Sequence, residues 1–123
     1  MDATLRFKRQ ERIRFAGQIT GVEGYLESAA IGLLAGMFFS DEILGSEPQI
    51  PPENTALASL LSHITNAEHQ DNFQPTNINF GLFPELPSKT NNKGKTMRLK
   101  GVERKKALSK RALNDLKIWL NYA

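Results

Sequence analysis

The chain contains no cysteine in 123 residues. That excludes disulfides and thiolate metal centres, and it leaves no thiol to act as a nucleophile. No apolar run follows the opening Met1-Asp2-Ala3-Thr4-Leu5-Arg6, so a secretory leader is not expected and a cytoplasmic location is the default. The apolar run from Ser28 to Phe39 is shorter than the about 20 residues a spanning helix needs, so no membrane partner is expected. Metal ligation is not expected either, because His63 and His69 lack a paired ligand spacing. Gly94-Lys95-Thr96 resembles the end of a phosphate-binding loop, but the position of its leading glycine is Lys89, which rules that reading out. The dinucleotide fingerprint Gly-x-Gly-x-x-Gly is absent, and no internal repeat is visible.

Acidic residues are scarce in one place only. The formal net charge of +3 divides unevenly along the sequence. Residues 1–92 hold six Lys/Arg against eleven Asp/Glu, a net of −5, while residues 93–123 hold ten against two, a net of +8. Such asymmetry points to an anionic partner for the basic end. Lys105, Lys106, Lys110 and Arg111 stand at its centre. Trp119 falls on the apolar side of the same segment and reads as core.

Glycines gather in the run Phe15-Ala16-Gly17-Gln18-Ile19-Thr20-Gly21-Val22-Glu23-Gly24-Tyr25. Ile13 to Ala16 reads as a short buried strand. Gly17 and Gly21 allow a sharp turn and close approach of a ligand. Thr20 and Glu23 have capping-box spacing, so a helix is expected from about Gly21 to Leu44. Leu26, Ala30, Leu33, Leu34, Met37 and Phe38 are its expected apolar face. Gly24, Ser28, Gly32 and Gly36 form a four-residue stripe suited to close packing against a sheet. Taken alone, this is a capped helix after a strand, and a glycine-rich turn is a weak signal of dinucleotide binding. Its spacing, Gly-x-x-x-Gly-x-x-Gly, suits a secondary contact to a nucleotide rather than a primary phosphate loop.

The rest of the chain divides readily. Thr4 to Phe7 is a possible strand. Gly45 to Glu53 is a Pro-rich connection. A second helix starts near Asn54 or Thr55, with Ala56, Leu57, Leu60, Leu61 and Ile64 on its buried stripe. Asn66 to Asn72 is a polar loop, Phe73 to Pro84 an ordered irregular segment, and Ser88 to Gly94 a mobile linker. The last helix runs from near Gly101 almost to the end, with Leu108, Ala112, Leu116 and Trp119 or Leu120 facing the core.

Three stretches together resemble one family: Gly17 to Ala30 continuing through Gly32-Leu33-Leu34-Ala35-Gly36; Thr55-Ala56-Leu57 with Leu60-Leu61 and Ile64-Thr65; and Phe73-Gln74-Pro75-Thr76-Asn77-Ile78-Asn79-Phe80-Gly81-Leu82-Phe83-Pro84. The family is that of the folate- and FAD-dependent tRNA uracil-5-methyltransferases (TrmFO), related to the GidA/MnmG flavoproteins. Val22-Glu23 after Gly17-Gln18, and the Asn-x-Asn-Phe-Gly stretch, point to the methyltransferase branch.

The resemblance implies an α/β fold: the C-terminal portion of a Rossmann-like, discontinuous FAD-binding domain, with 1–92 as flavin-side core and 93–123 as a basic C-terminal helix. It implies that Gly17, Gln18, Ile19, Thr20, Gly21 and Val22 contact FAD. Asn77, Asn79 and Phe80 are candidates for flavin or folate, against the plainer reading that the two asparagines satisfy loop backbone. The implied partner is tRNA, for Lys105, Lys106, Lys110 and Arg111. Methylenetetrahydrofolate and NAD(P)H are the implied co-substrates. No catalytic residue is expected here, because the family's thiol nucleophile and N-terminal FAD loop have no counterpart in this sequence. The chain is therefore expected to be an enzyme fragment or a subunit complementing a separate N-terminal part. A non-catalytic RNA-binding protein is the alternative.

Overall fold

The computed structural model describes residues 1–66, 73–90, 94 and 96–122. Asp2 organises the start of the fold. Its carboxylate accepts from the Thr4 amide and hydroxyl, both at 2.8 Å, from the Arg6 amide at 3.0 Å and from Arg6 Nε at 2.9 Å. Burial opposes ionisation, but these hydrogen bonds outweigh it and hold the Asp2 carboxyl down to about 2. The tight turn forces Leu5 to φ 68, a conformation a leucine adopts only under constraint. The constraint is burial: Leu5 is fully enclosed, and its carbonyl accepts from the Phe15 amide at 3.0 Å.

Strands β1 (Arg6–Phe7) and β2 (Gln10–Arg14) form an antiparallel hairpin with an irregularity between Arg6 and Phe7. The expected buried strand over Ile13 to Ala16 is thus corrected. β2 starts earlier, is largely exposed, and leaves Ile13 44% exposed. A short apolar run next to alternating charges does not distinguish a buried strand from one arm of a surface hairpin. Arg14 pins the hairpin to the end of the first helix, donating to Glu42 Oε2 at 2.6 Å and to the Thr4 carbonyl at 3.1 Å.

Helix α1 (Tyr25–Ile43) begins four residues later than expected, and the expected capping box does not form. The Thr20 hydroxyl instead donates to the Gly17 carbonyl at 2.6 Å, inside a 3-10 turn over Gln18–Thr20. The buried stripe of α1 is Glu27, Ile31, Leu34 and Phe38. Leu26 and Leu33, expected in the core, are 75% and 59% exposed. Among the described residues nothing lies within 4 Å of a side chain added at Gly32 or Gly36, so that part of the small-residue stripe does not make the expected packing against a sheet.

Helix α2 (Ala56–Thr65) starts where the sequence places it, with the Thr55 hydroxyl accepting from the Ala58 amide at 3.1 Å. Its Leu60 and Leu61 join Leu5, Val22, Ile31, Leu34 and Phe38 in one core, while Ala56 is exposed. The chain then runs extended from Phe73 to a 3-10 turn at Phe80–Leu82. Within the segment expected as a mobile linker, β3 (Lys89–Thr90) pairs antiparallel with β4 (Thr96–Met97). Residues 91–93 of that segment, and 67–72 of the polar loop with His69, lie outside the described residues.

Helix α3 (Gly101–Tyr122) matches the expected span. It buries Leu108 and Ala112, and Asp115 accepts from Asn54 Nδ2 at 3.0 Å. The result is a mixed α/β arrangement whose strands, among the described residues, form two short antiparallel pairs and one isolated parallel bridge.

Candidate functional site

The glycine turn and the asparagine loop, about 50 residues apart in the chain, are laced together. Val22 and Thr76 form a parallel bridge. The Glu23 amide donates to the Thr76 carbonyl at 2.9 Å, and the Thr76 amide donates to the Gly21 carbonyl at 3.1 Å. Asn77 Nδ2 adds a bond to the Glu23 carbonyl at 2.7 Å. Two glycines make this contact sterically possible. Gly21, at φ 105, lies so close to Phe73 that a Cβ would sit 2.1 Å from its ring. Gly24, at φ 95, would place one 2.5 Å from Glu27 Oε2 and 2.7 Å from Asn77 Nδ2. Only glycine combines those angles with that crowding.

Glu27 is the residue that sequence reasoning missed. It stands in the first turn of α1, buried, and its Oε1 accepts from the Ile78 amide at 3.1 Å. The carboxylate also accepts from its own amide. That bond, against the opposition of burial and with help from Ile78 and Asn77, holds its carboxyl below the usual range. It does from inside the helix what Thr20 was expected to do from outside. The signal was available: Glu27 is the one charge in the apolar run from Tyr25 to Ser40. A lone acid there needs amides to face.

The other predicted residues fall into place around this clamp. Gln18 and Ile19 lie exposed on the rim of the turn, while Thr20, Gly21 and Val22 are buried in it. Asn79 spends its side chain on the loop itself. Its Oδ1 accepts from the Gly81 amide at 2.9 Å, and its Nδ2 donates to the Asn77 carbonyl at 3.1 Å. Phe80 meets α3, where Lys105 Nζ lies 5.9 Å from its ring centroid. Lys105, Lys106 and Lys110 are exposed on one open cleft with Phe80. Arg111 is on another side of α3. Its guanidinium donates to the Pro84 carbonyl and, at 3.2 Å, to that of Glu85, tying the loop to the helix. His63 has Nε2 3.0 Å from the Gln74 carbonyl and its ring beside Phe73, so it supports the loop that covers Gly21. Among the described residues no three His, Asp or Glu side chains gather to hold a metal, and no helix is long and apolar enough to cross a membrane.

A strand-like approach, a glycine turn and a helix start are the parts from which nucleotide-binding α/β proteins are built, although here Glu27 already occupies the first turn of α1. A family model described as "Glucose inhibited division protein A" matches residues 1–47, the hairpin, the turn and α1. Beyond that region the similarity runs through nearly the whole chain. A methylenetetrahydrofolate–tRNA-(uracil-5-)-methyltransferase TrmFO of Paramagnetospirillum magneticum is 51% identical over 98% of this chain. The protein of the same name from Rhodospirillum rubrum is 53% identical over 98%, and that from Bartonella bacilliformis 50% over 98%. The chain covers only 25% to 28% of those three proteins. It matches the C-terminal portion of TrmFO, a family related to the GidA flavoproteins.

Proposed function

We propose that this chain is the C-terminal part of a methylenetetrahydrofolate–tRNA-(uracil-5-)-methyltransferase acting in the cytoplasm, and that its role is to complete one wall of an FAD site. Residues 1–92 serve as the flavin-side core and 93–123 as a basic helix directed at tRNA. The observation that carries the reading is the lacing of Gly21–Glu23 to Thr76–Asn77, which fixes the two stretches most typical of the family as one rigid surface. At its rim stand Gln18, Ile19 and the open start of α1, where Tyr25 and Leu26 are exposed.

The residues present fit one side of a flavin. Glu27 already answers the positive end of α1 with a negative charge. That disfavours a pyrophosphate at this turn and suits the uncharged ring system of the cofactor, held by backbone groups of Gly17 to Val22. When bound, FAD would carry the reducing electrons that NAD(P)H donates and the one-carbon unit of methylenetetrahydrofolate needs. The chain's own residues position and enclose; none is an activated nucleophile with its base. Asn77 and Asn79 act here by holding the wall in shape.

A second observation supports the complementing form of this reading. α1 is apolar on every side, yet among the described residues only one stripe of it is covered. A helix of that kind belongs in an interior. The remaining three quarters of a TrmFO-type polypeptide is the partner proposed to cover it. The test is transfer of labelled methyl from the folate to T-loop uridine, with FAD and reduced nicotinamide present. The expected result is no turnover by the chain alone and turnover when a matching N-terminal part is added. Turnover by the chain alone overturns the reading, as does silence in a mixture that forms a stable complex.

A further inference from the structure

The outward face of α3 pairs lysines with an aromatic ring. Lys105, Lys106 and Lys110 line an open cleft of about 630 Å3 with Phe80, Val102 and Leu113. Among the described residues none of these lysines is in an ion pair. Neither acid of α3 lines the cleft, and one of them, Asp115, is engaged with Asn54. The face therefore holds uncompensated positive charge beside apolar surface.

Phe80 is mounted firmly and left partly bare. Its turn is capped by Asn79, its ring lies 5.9 Å from that of Phe83, and Arg111 ties the following residues to α3. The residue is still 36% exposed, and the group over its ring is the ammonium of Lys105, on a flexible stem. A cation–π contact at that distance and exposure is weaker than stacking of a nucleobase on an aromatic ring. A base is able to displace Lys105, which then lies within reach of that nucleotide's phosphate. A protein partner fits this face poorly, because lysine is depleted in protein–protein interfaces. Aromatic rings interleaved with lysines are the pattern of single-stranded nucleic-acid grooves.

We infer that Phe80 is a stacking platform for an unpaired RNA base, with Lys105, Lys106 and Lys110 holding the neighbouring phosphates. This deepens the tRNA reading above and rests on it. It assigns Phe80 to RNA and not to flavin or folate.

The test uses the full chain with two labelled RNAs of equal length, a hairpin with an unpaired loop and a blunt duplex, titrated at several salt concentrations. The chain is expected to prefer the hairpin about tenfold. Phe80→Leu keeps apolar packing but offers no stacking face, and is expected to abolish that preference while leaving duplex affinity and salt slope unchanged. Phe80→Trp is expected to preserve the preference. A triple Lys105→Gln, Lys106→Gln, Lys110→Gln variant is expected to weaken both RNAs and flatten the salt slope, by about 0.9 for each duplex phosphate it no longer neutralises. If Phe80→Leu keeps the preference while the triple variant loses affinity, stacking is wrong and the RNA reading stands. If the triple variant binds both RNAs as before, or if the chain binds phosphatidylserine vesicles and neither RNA, both are wrong.

Discussion

The two long helices, α1 with 19 residues and α3 with 22, treat solvent in opposite ways. α3 sorts its residues in part: Leu108 and Ala112 go inward and the lysines go outward, while Val102, Leu113, Ile118 and Leu120 are exposed as well. α1 does not sort them. Ile31, Leu34 and Phe38 are buried, but Leu26, Leu33, Phe39 and Ile43 stand exposed on the other sides. A helix that is apolar all round is built for an interior, and one with a polar face for a surface. The contrast fits the proposal that α1 lies inside a larger body and α3 on its outside; the chain spans about a quarter of the length of its relatives.

The contrast between covered and open faces of α1 is sharpened by truncation. Phe38→Ala removes a fully buried ring and is expected to cost about 3–5 kcal/mol in a denaturant titration. Leu33→Ala, on the open face, is expected to change the stability of the chain alone by less than about 0.5 kcal/mol. Equal losses at the two positions would mean that α1 is covered on both sides within this chain.

Gly36 tests the same face from the other direction. A side chain there meets nothing among the described residues, and removing a helical glycine favours the helix by up to about 1 kcal/mol. Gly36→Leu should therefore leave the chain intact yet weaken its association with a matching N-terminal part by about two orders of magnitude. Calorimetric titration reads that loss. Unchanged affinity would show that the small-residue stripe is not a packing surface.

Asp2 gives a smaller effect than Phe38 or Gly36, and one tied to pH. Its folded carboxyl lies at about 2, below the ordinary 3.8, so it contributes stability above pH 3.8 that is lost as pH falls toward 2. With its side chain 34% exposed, screening reduces that contribution to about 1 kcal/mol. Asp2→Asn should flatten the stability profile across that window. A profile as steep as the unmutated chain's would place the acid sensitivity elsewhere.

Local chemistry was legible in the sequence, and long-range pairing was not. Thr55 announced α2 because a hydroxyl before an apolar helical pattern has one obvious use. Gly101 and the periodicity of Leu108, Ala112 and Leu116 gave α3 to within a residue or two. The start of α1 was misplaced because two glutamates, each three residues after a cap candidate, compete for one role. Thr20 with Glu23 fits the capping pattern, yet Gly24 with Glu27 wins. The deciding factor lies far away, in the Ile78 amide and Asn77 side chain that Glu27 meets. The α1 face was misjudged for a related reason. Helical periodicity cannot choose among several apolar faces, and α2 and Leu5 made the choice. The lacing of Val22 to Thr76 spans the whole of α1 and α2, and no local pattern encodes it. Family resemblance identified both strands of that contact without indicating that they touch.

The central proposal is that the open face of α1 is covered by a further polypeptide, the N-terminal part proposed above. Sedimentation of the chain alone and mixed with a matching N-terminal part tests it most directly. The account predicts concentration-dependent self-association of the chain alone, since an uncovered apolar face invites it. In the mixture it predicts a discrete one-to-one complex, and Leu33→Glu should abolish both kinds of association. A compact monomer at high concentration that ignores the N-terminal part would contradict it.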